Sequence, residues 1–174
     1  MKYFVKFFVV TFLLLVSTYA AAENKVVYLD MKFILNNSKA GKGAQDFLKK
    51  SLKEKQKNFK ATEETLKKEE RSLLEKKDSM SKEEYKKNTD TLRKKVIAYQ
   101  SDRRSSFDKI AQLRLDARSQ LIKKLNPILA SYLEENNISL VIDKKDVVLG
   151  NTNLDITKII VDKLNKELPS LNLK

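Results

Sequence analysis

The sequence contains no cysteine and no histidine. Without cysteine an exported protein has no disulfide bonds, so its small core must be stabilised another way. The same two absences remove the commonest metal ligands, the usual general base and the thiol nucleophile. Carboxylates are numerous, but they alternate with lysines as on solvated helix surfaces. We therefore predict no catalytic residue, no metal site and no cofactor, and an enzyme is the last of the function classes considered.

Glycine and proline are also scarce, with three and two residues in a chain of 174. The triplet Gly41-Lys42-Gly43 lacks the upstream glycine and the Ser or Thr of a Walker phosphate loop. Between residues 40 and 138 the only proline is Pro127, and the only glycines are Gly41 and Gly43 at the start. Such a stretch, rich in Lys, Glu, Leu, Gln and Arg, favours long helices.

The first 22 residues have the pattern of an export signal. Lys2 and Lys6 precede an apolar run over residues 7–16, and Ala20-Ala21-Ala22 provides a cleavage site. We place the cut after Ala22; a retained membrane anchor is the alternative. Cleavage removes both lysines and lowers the formal net charge from +13 to +11.

Residues 40–135 are predicted to form a helical hairpin, which we call the arm. Apolar residues recur every seven positions, as in a coiled coil, although only about one per heptad is apolar. The recurring residues are Leu52, Phe59, Leu66, Leu73 and Met80, followed by Tyr85, Leu92 and Tyr99. From Phe107 onward the apolar density rises, so the base should pack better than the tip.

A turn near residues 78–81 is predicted from helix-capping residues. Ser81 and Glu84 have the spacing of a capping box, and Met80 with Tyr85 forms a hydrophobic staple. One uninterrupted helix is the alternative. Further along, Asn126-Pro127 either kinks the return helix or caps a new one, and the sequence leaves both open.

The two ends of the mature chain, residues 23–39 and 136–174, are predicted to form a body. Strands are expected over about 25–30, 138–143 and 146–149, with a helix over about 156–168. The fold class is α+β: a long antiparallel helical hairpin on a small β-strand body. Bare strand edges and an apolar helix face predict that the body oligomerises, in a trimer according to the resemblance below. The candidate interface residues are Val27, Leu29, Leu140, Val141, Ile142, Val147, Ile156 and Ile160.

The order of these elements resembles the Skp (OmpH) family of periplasmic chaperones. The runs that carry the resemblance are residues 26–30, 138–143 and 154–157, and the stretch 149–151 departs from it by lacking an aromatic residue. The resemblance implies a periplasmic homotrimer whose arms enclose a cavity. It also implies ATP-independent holding of unfolded outer-membrane β-barrel proteins, with lipopolysaccharide or an anionic membrane surface as a further partner.

Residues 40–104 carry twenty basic and twelve acidic side chains, a net charge of +8. Export argues against nucleic acid as the partner of this charge, and the arm lacks base-stacking aromatics. An envelope spacer or an adaptor coiled-coil hairpin is the structural alternative to a chaperone. The candidate client-binding residues on the arm are Phe47, Phe59, Leu66, Tyr85, Leu92, Tyr99, Lys86, Lys87, Lys94, Lys95, Arg103 and Arg104.

Overall fold

The protein was analysed as a computed structural model, which describes residues 25–173. The export signal predicted at residues 1–22 therefore lies outside the described residues. Two strands and four helices follow one another as β1 (Lys25–Leu29), α1 (Met31–Asn37), α2 (Lys39–Glu75), α3 (Lys82–Glu135), β2 (Ile138–Asp143) and α4 (Thr157–Glu167). This order confirms the predicted α+β class, a helical hairpin on a small β body.

Helices α2 and α3 form the arm. At a rise of ~1.5 Å per residue they are ~55 and ~80 Å long. A short 3₁₀ turn at Lys77–Ser79 joins them. The amide of Glu84 donates to Ser81 Oγ, and the amide of Ser81 donates to the Glu84 carboxylate, both at 3.2 Å. The capping box is therefore formed, and the alternative of one uninterrupted helix is wrong.

Helix α3 continues through Pro127 to Glu135, so no new helix begins at Asn126. Proline removes one backbone hydrogen bond, but the buried side chains on either side, Leu125 and Ile128, anchor this part of the helix in the core. The chain then reverses at Asn137, whose φ of 51° is the left-handed conformation that commonly ends a helix.

Strands β1 and β2 pair in parallel, with Val27 opposite Val141. The whole arm is the connection between them. One face of this sheet packs on α1, α4 and the end of α3. The buried core consists of Val27, Leu29, Ile34, Leu125, Ile128, Ile138, Ile156, Ile160 and Leu164.

The third predicted strand, residues 146–149, is not formed in the single chain. Residues Lys144–Asp146 make a 3₁₀ turn, which the Asp143 carboxylate stabilises by accepting the Lys145 amide at 3.2 Å. A strand needs a partner for its backbone groups, and within residues 25–173 the only sheet is the β1–β2 pair. The side chains of Val148 and Leu149 are almost wholly exposed as a result.

Candidate functional site

The base of the arm is a packed two-helix structure. Ala44 and Leu48 of α2 are buried, as are Ile110, Ala117 and Leu121 of α3. Small and large side chains alternate there, which allows the helices to approach closely. This part of the arm is a rigid support.

Phe59 closes the packed region. Its side chain is only 7% exposed, and its ring lies 6.0 Å from that of Tyr99 and 5.9 Å from that of Phe107 between ring centres. Phe59 and Tyr99 both belong to the seven-residue repeat, whereas Phe107 lies off it. Phe59 is therefore not available as a surface contact for a client, contrary to the prediction.

Beyond Phe59 the arm has no core. Among the described residues from 60 to 105, which we call the distal arm, none is buried. The predicted client residues Leu66, Tyr85, Leu92 and Tyr99 are half-buried along the helix seam. The distal arm is thus a pair of helices with much apolar surface open to contact.

Three further apolar residues on the arm are exposed: Leu74 at 59%, Ile97 at 58% and Leu115 at 61%. They lie off the seven-residue repeat, so the sequence prediction missed them. Comparing the helical position of each apolar residue with the positions that face the other helix would have identified these three as exposed. The predicted client residue Phe47, near the base, is also exposed, at 37%.

The six predicted cationic residues have different roles. Lys95 forms a 2.8 Å ion pair with Glu69 of the facing helix, and the Arg103 guanidinium lies 5.8 Å from the centre of the Phe107 ring. The Lys95 ion pair joins the two helices, whereas the Arg103 contact lies within α3. The remaining four are exposed, and their side chains have no ion-pair or hydrogen-bond partner within residues 25–173; we call Lys86, Lys87, Lys94 and Arg104 the free cations.

Elsewhere on the distal arm, opposite charges neutralise each other along one helix. Lys67 Nζ lies 2.9 Å from the Glu63 carboxylate one turn away. The hydrogen bond from Lys67 lowers the pKa of Glu63, and the same contact raises the pKa of Lys67. Such exposed pairs contribute little to stability. The free cations, in contrast, keep their charge available for a partner.

Four residues predicted at an oligomer interface lie instead in the core of the single chain. Val27, Leu29, Ile156 and Ile160 are at most 4% exposed. The sequence showed that these side chains were apolar but not that α1 and the end of α3 would cover them. Their burial needs no second copy.

The outer face of the sheet is an exposed apolar surface of the body. Leu140 is 52% exposed and pairs in register with Val26, which is 38% exposed. Val141, Ile142 and Val147, also predicted at the interface, are half-buried. Val148 and Leu149 extend from the loop after β2, and with Val26 and Leu140 they make up what we call the outer patch.

In the part of the chain that the structure describes, no group of three or more acidic side chains is arranged to bind a metal. Across residues 25–173, none of the helices is long and apolar enough to cross a membrane.

Comparison with known proteins identifies the family to which this architecture belongs. A search of curated proteins found no match. A crystal structure of an OmpH-like protein from Caulobacter crescentus CB15, described as a candidate outer membrane chaperone, superposes with a TM-score of 0.80 at 21% identity. The match covers 90% of this chain and 92% of that one, and it shows a shared fold. The profile of the family described as "Outer membrane protein (OmpH-like)" matches residues 25–164. The chain therefore belongs to the OmpH-like family.

Proposed function

We propose that this protein is an ATP-independent holdase chaperone of the periplasm, which binds unfolded outer-membrane β-barrel proteins and prevents their aggregation. The observation that carries the proposal is the distal arm, where none of the described residues from 60 to 105 is buried. The description of the Caulobacter structure as a candidate outer membrane chaperone supports the same assignment.

A distal arm without a core suits a holdase better than a spacer. A rigid rod needs continuous packing along its length, and packing here ends at Phe59. The side chains of Leu66, Leu74 and Ile97 offer many small apolar contacts instead. Weak contacts of this kind hold an unfolded chain through their number while releasing it readily.

We also propose that the functional unit is a homotrimer joined through the outer patch. A parallel sheet is ordinarily covered on both faces, but here Leu140 and Val26 remain exposed on the outer one. Within the described residues no strand pairs with the outer edge of β2. Association of three copies would cover this face, satisfy the edge and surround a client with three arms.

Light scattering tests the holdase proposal. An outer-membrane β-barrel protein is diluted from denaturant with and without the mature protein, in buffer with EDTA and no nucleotide. We expect aggregation to be suppressed in proportion to the concentration of the mature protein. Full aggregation at equimolar protein would contradict the proposal and favour the envelope spacer or adaptor.

A further inference from the structure

A groove of about 850 Å³ lies at the base of the arm, where α1, α2 and α3 meet. Its floor is apolar and includes the half-buried side chains of Leu35 and Leu52. The small residues Gly41, Ala44 and Ala117 make the floor deep. A concave apolar site of this size is typical of ligand-binding pockets.

Two arginines of α3, Arg114 and Arg118, stand one helical turn apart on the rim of the groove. Neither has an ion-pair or hydrogen-bond partner within residues 25–173. The nearest acid along α3, Asp116, is engaged elsewhere, since it accepts a hydrogen bond from Gln112 at 2.9 Å. Like charges one turn apart repel, so a ligand that carries negative charge would relieve the repulsion within this pair.

The rest of the rim is mixed in charge. Lys32 and Lys49 add two cations, also without partners in the described chain, while Asp46 contributes a carboxylate. The carboxylate of Asp143 is already paired, at 3.9 Å from Lys145 Nζ. The groove is therefore cationic around an apolar floor, with a carboxylate placed among the cations.

We infer that this groove binds a peptide segment of the client in which apolar side chains flank an acidic residue. Arginine binds carboxylates through two parallel hydrogen bonds, and the apolar floor takes the neighbouring side chains. Gln45 also lines the groove: its amide group donates to the Asn36 backbone carbonyl at 3.3 Å and side-chain oxygen at 3.0 Å. These two bonds orient the Gln45 amide, so its side-chain oxygen can accept a hydrogen bond from a peptide N–H. The inference rests on the proposed holdase function and adds a defined subsite to it.

A polyanionic lipid headgroup fits the groove less well than a peptide does. Phosphates clustered over Arg114 and Arg118 would also meet the carboxylate of Asp46. A single client carboxylate needs only the arginines. The mixed rim thus favours a peptide over a lipid.

Fluorescence anisotropy with two synthetic peptides tests the inference. One short labelled peptide has Leu and Phe interspersed with Glu, and the other carries Gln at every Glu position. We expect the mature protein to bind the acidic peptide about tenfold more tightly than the amide peptide. In Arg114→Gln/Arg118→Gln both peptides should bind with the same weak affinity.

Two further variants separate the groove from general charge and from the apolar floor. Lys158→Gln/Lys166→Gln removes two exposed cations of α4, which have no ion-pair partner within residues 25–173, and should leave the affinity for the acidic peptide within about twofold. Leu52→Ser shortens the floor and should weaken both peptides equally. Circular dichroism and sedimentation confirm that each variant keeps its fold and oligomeric state.

Equal affinity of wild type and Arg114→Gln/Arg118→Gln for the acidic peptide would overturn the inference. It would also be overturned if the control variant lost as much affinity as the double variant. Arginine-dependent binding to phosphatidylglycerol vesicles without peptide binding would overturn it in favour of a lipid. Dissociation of the oligomer in the double variant would show that a second copy fills the groove, and would also overturn it. The aggregation assay distinguishes the two proposals, because a wild type that suppresses aggregation but binds no peptide refutes the groove alone.

Discussion

Single residues at the base of the arm decide how closely its elements approach. Gly41 lies just after the bend between α1 and α2, where Ser38 Oγ accepts the Gly41 amide at 3.2 Å. A methyl group at Gly41 would overlap the carbonyl oxygen of Leu35, whereas one at Gly43 would meet nothing. The two glycines of one short triplet thus have different physical roles. The sequence could not separate them, because the difference depends on the position of α1.

Gly41→Ala and Gly43→Ala form a matched pair. We expect Gly41→Ala to lower stability by ~1–3 kcal/mol, because the overlap is with backbone that cannot move away. Gly43→Ala should raise stability by ~0.5–1 kcal/mol through helix propensity alone. Thermal unfolding followed by circular dichroism measures both. Equal effects of the two substitutions on stability would mean that the α1–α2 bend does not hold Leu35 against Gly41 as described.

Asp155 links the start of α4 to the turn after β2. Its carboxylate accepts from the Thr157 amide at 3.0 Å and from Lys144 Nζ at 2.6 Å, and Thr157 Oγ1 in turn accepts the Asp30 amide at 2.9 Å. Burial acts to raise the pKa of Asp155, but the hydrogen bonds from Lys144 and Thr157 outweigh it and lower the pKa below its ordinary value of 3.8. The same contact raises the pKa of Lys144.

A group with a lowered folded-state pKa contributes stability above its unfolded value and loses it as the pH falls through the folded value. We therefore expect Asp155→Asn to lower stability by ~1–2 kcal/mol at neutral pH and to have progressively less effect below pH 3.8. The exposed Asp162→Asn, on the same helix, is the control. Urea unfolding across a pH series measures the difference. A deficit that stays constant into strong acid would rule out an ionic role for Asp155.

At the scale of the elements, helix periodicity and capping residues predicted most of the fold. They located the hairpin and its turn at Ser81, since these signals are local in sequence. The sequence failed at residues 146–149, because a strand exists only with a partner and residues 25–173 provide none for this segment. It also assigned Phe59 to the surface, since two aromatics brought from α3 are needed to cover it. Local patterns therefore predicted elements better than they predicted burial.

The arm should lose stability unevenly when its seam is truncated. Leu121 is 4% exposed, so Leu121→Ala should cost ~2–5 kcal/mol, whereas the half-buried Leu66 leaves a much smaller cavity. Phe59→Ala should behave like Leu121→Ala, at ~3–5 kcal/mol, because its ring is buried. Melting temperatures of the three variants measure this order. Equal losses for Leu66→Ala and Leu121→Ala would contradict an arm that is packed only at its base.

For the whole molecule, the outer patch offers a test of assembly that the core residues do not. Ile160→Asp would place a charge in the core of one chain and unfold it, since Ile160 is fully buried. Leu140→Asp/Leu149→Asp alters only exposed side chains of a single chain, so it should leave the fold intact and yield monomers. Leu115→Asp, at an equally exposed position on the arm, should remain a trimer. Sedimentation velocity distinguishes these outcomes, and a wild type that sediments as a monomer at micromolar concentration would refute the trimer.

Charge and apolar surface should act at different stages of client capture. The free cations lie on a part of the arm whose net charge is +8, and their field attracts acidic, unfolded chains over about one Debye length, ~8 Å at physiological salt. Once a client is in contact, we expect the half-buried Leu and Tyr residues of the distal arm to determine how long it stays bound. The association rate should therefore depend on salt, while the dissociation rate should depend on it much less.

Replacing Lys86, Lys87, Lys94 and Arg104 by Gln lowers the net charge of residues 40–104 from +8 to +4 without removing the Lys95–Glu69 pair or the Arg103–Phe107 contact. Glutamine keeps the helix propensity nearly unchanged, so the fold and oligomeric state should survive. We expect slower association with a flatter salt dependence and a nearly unchanged dissociation rate.

The control replaces four exposed lysines nearer the body, Lys123, Lys124, Lys158 and Lys166, and so removes the same net charge elsewhere. Stopped-flow binding of a fluorescent outer-membrane protein across a salt series measures all three proteins. If the variant associates as fast as wild type, with the same salt dependence, the free cations only keep the arm soluble. If the control variant associates as slowly as the arm variant, the net charge of the protein, and not the position of the charge on the arm, steers the client.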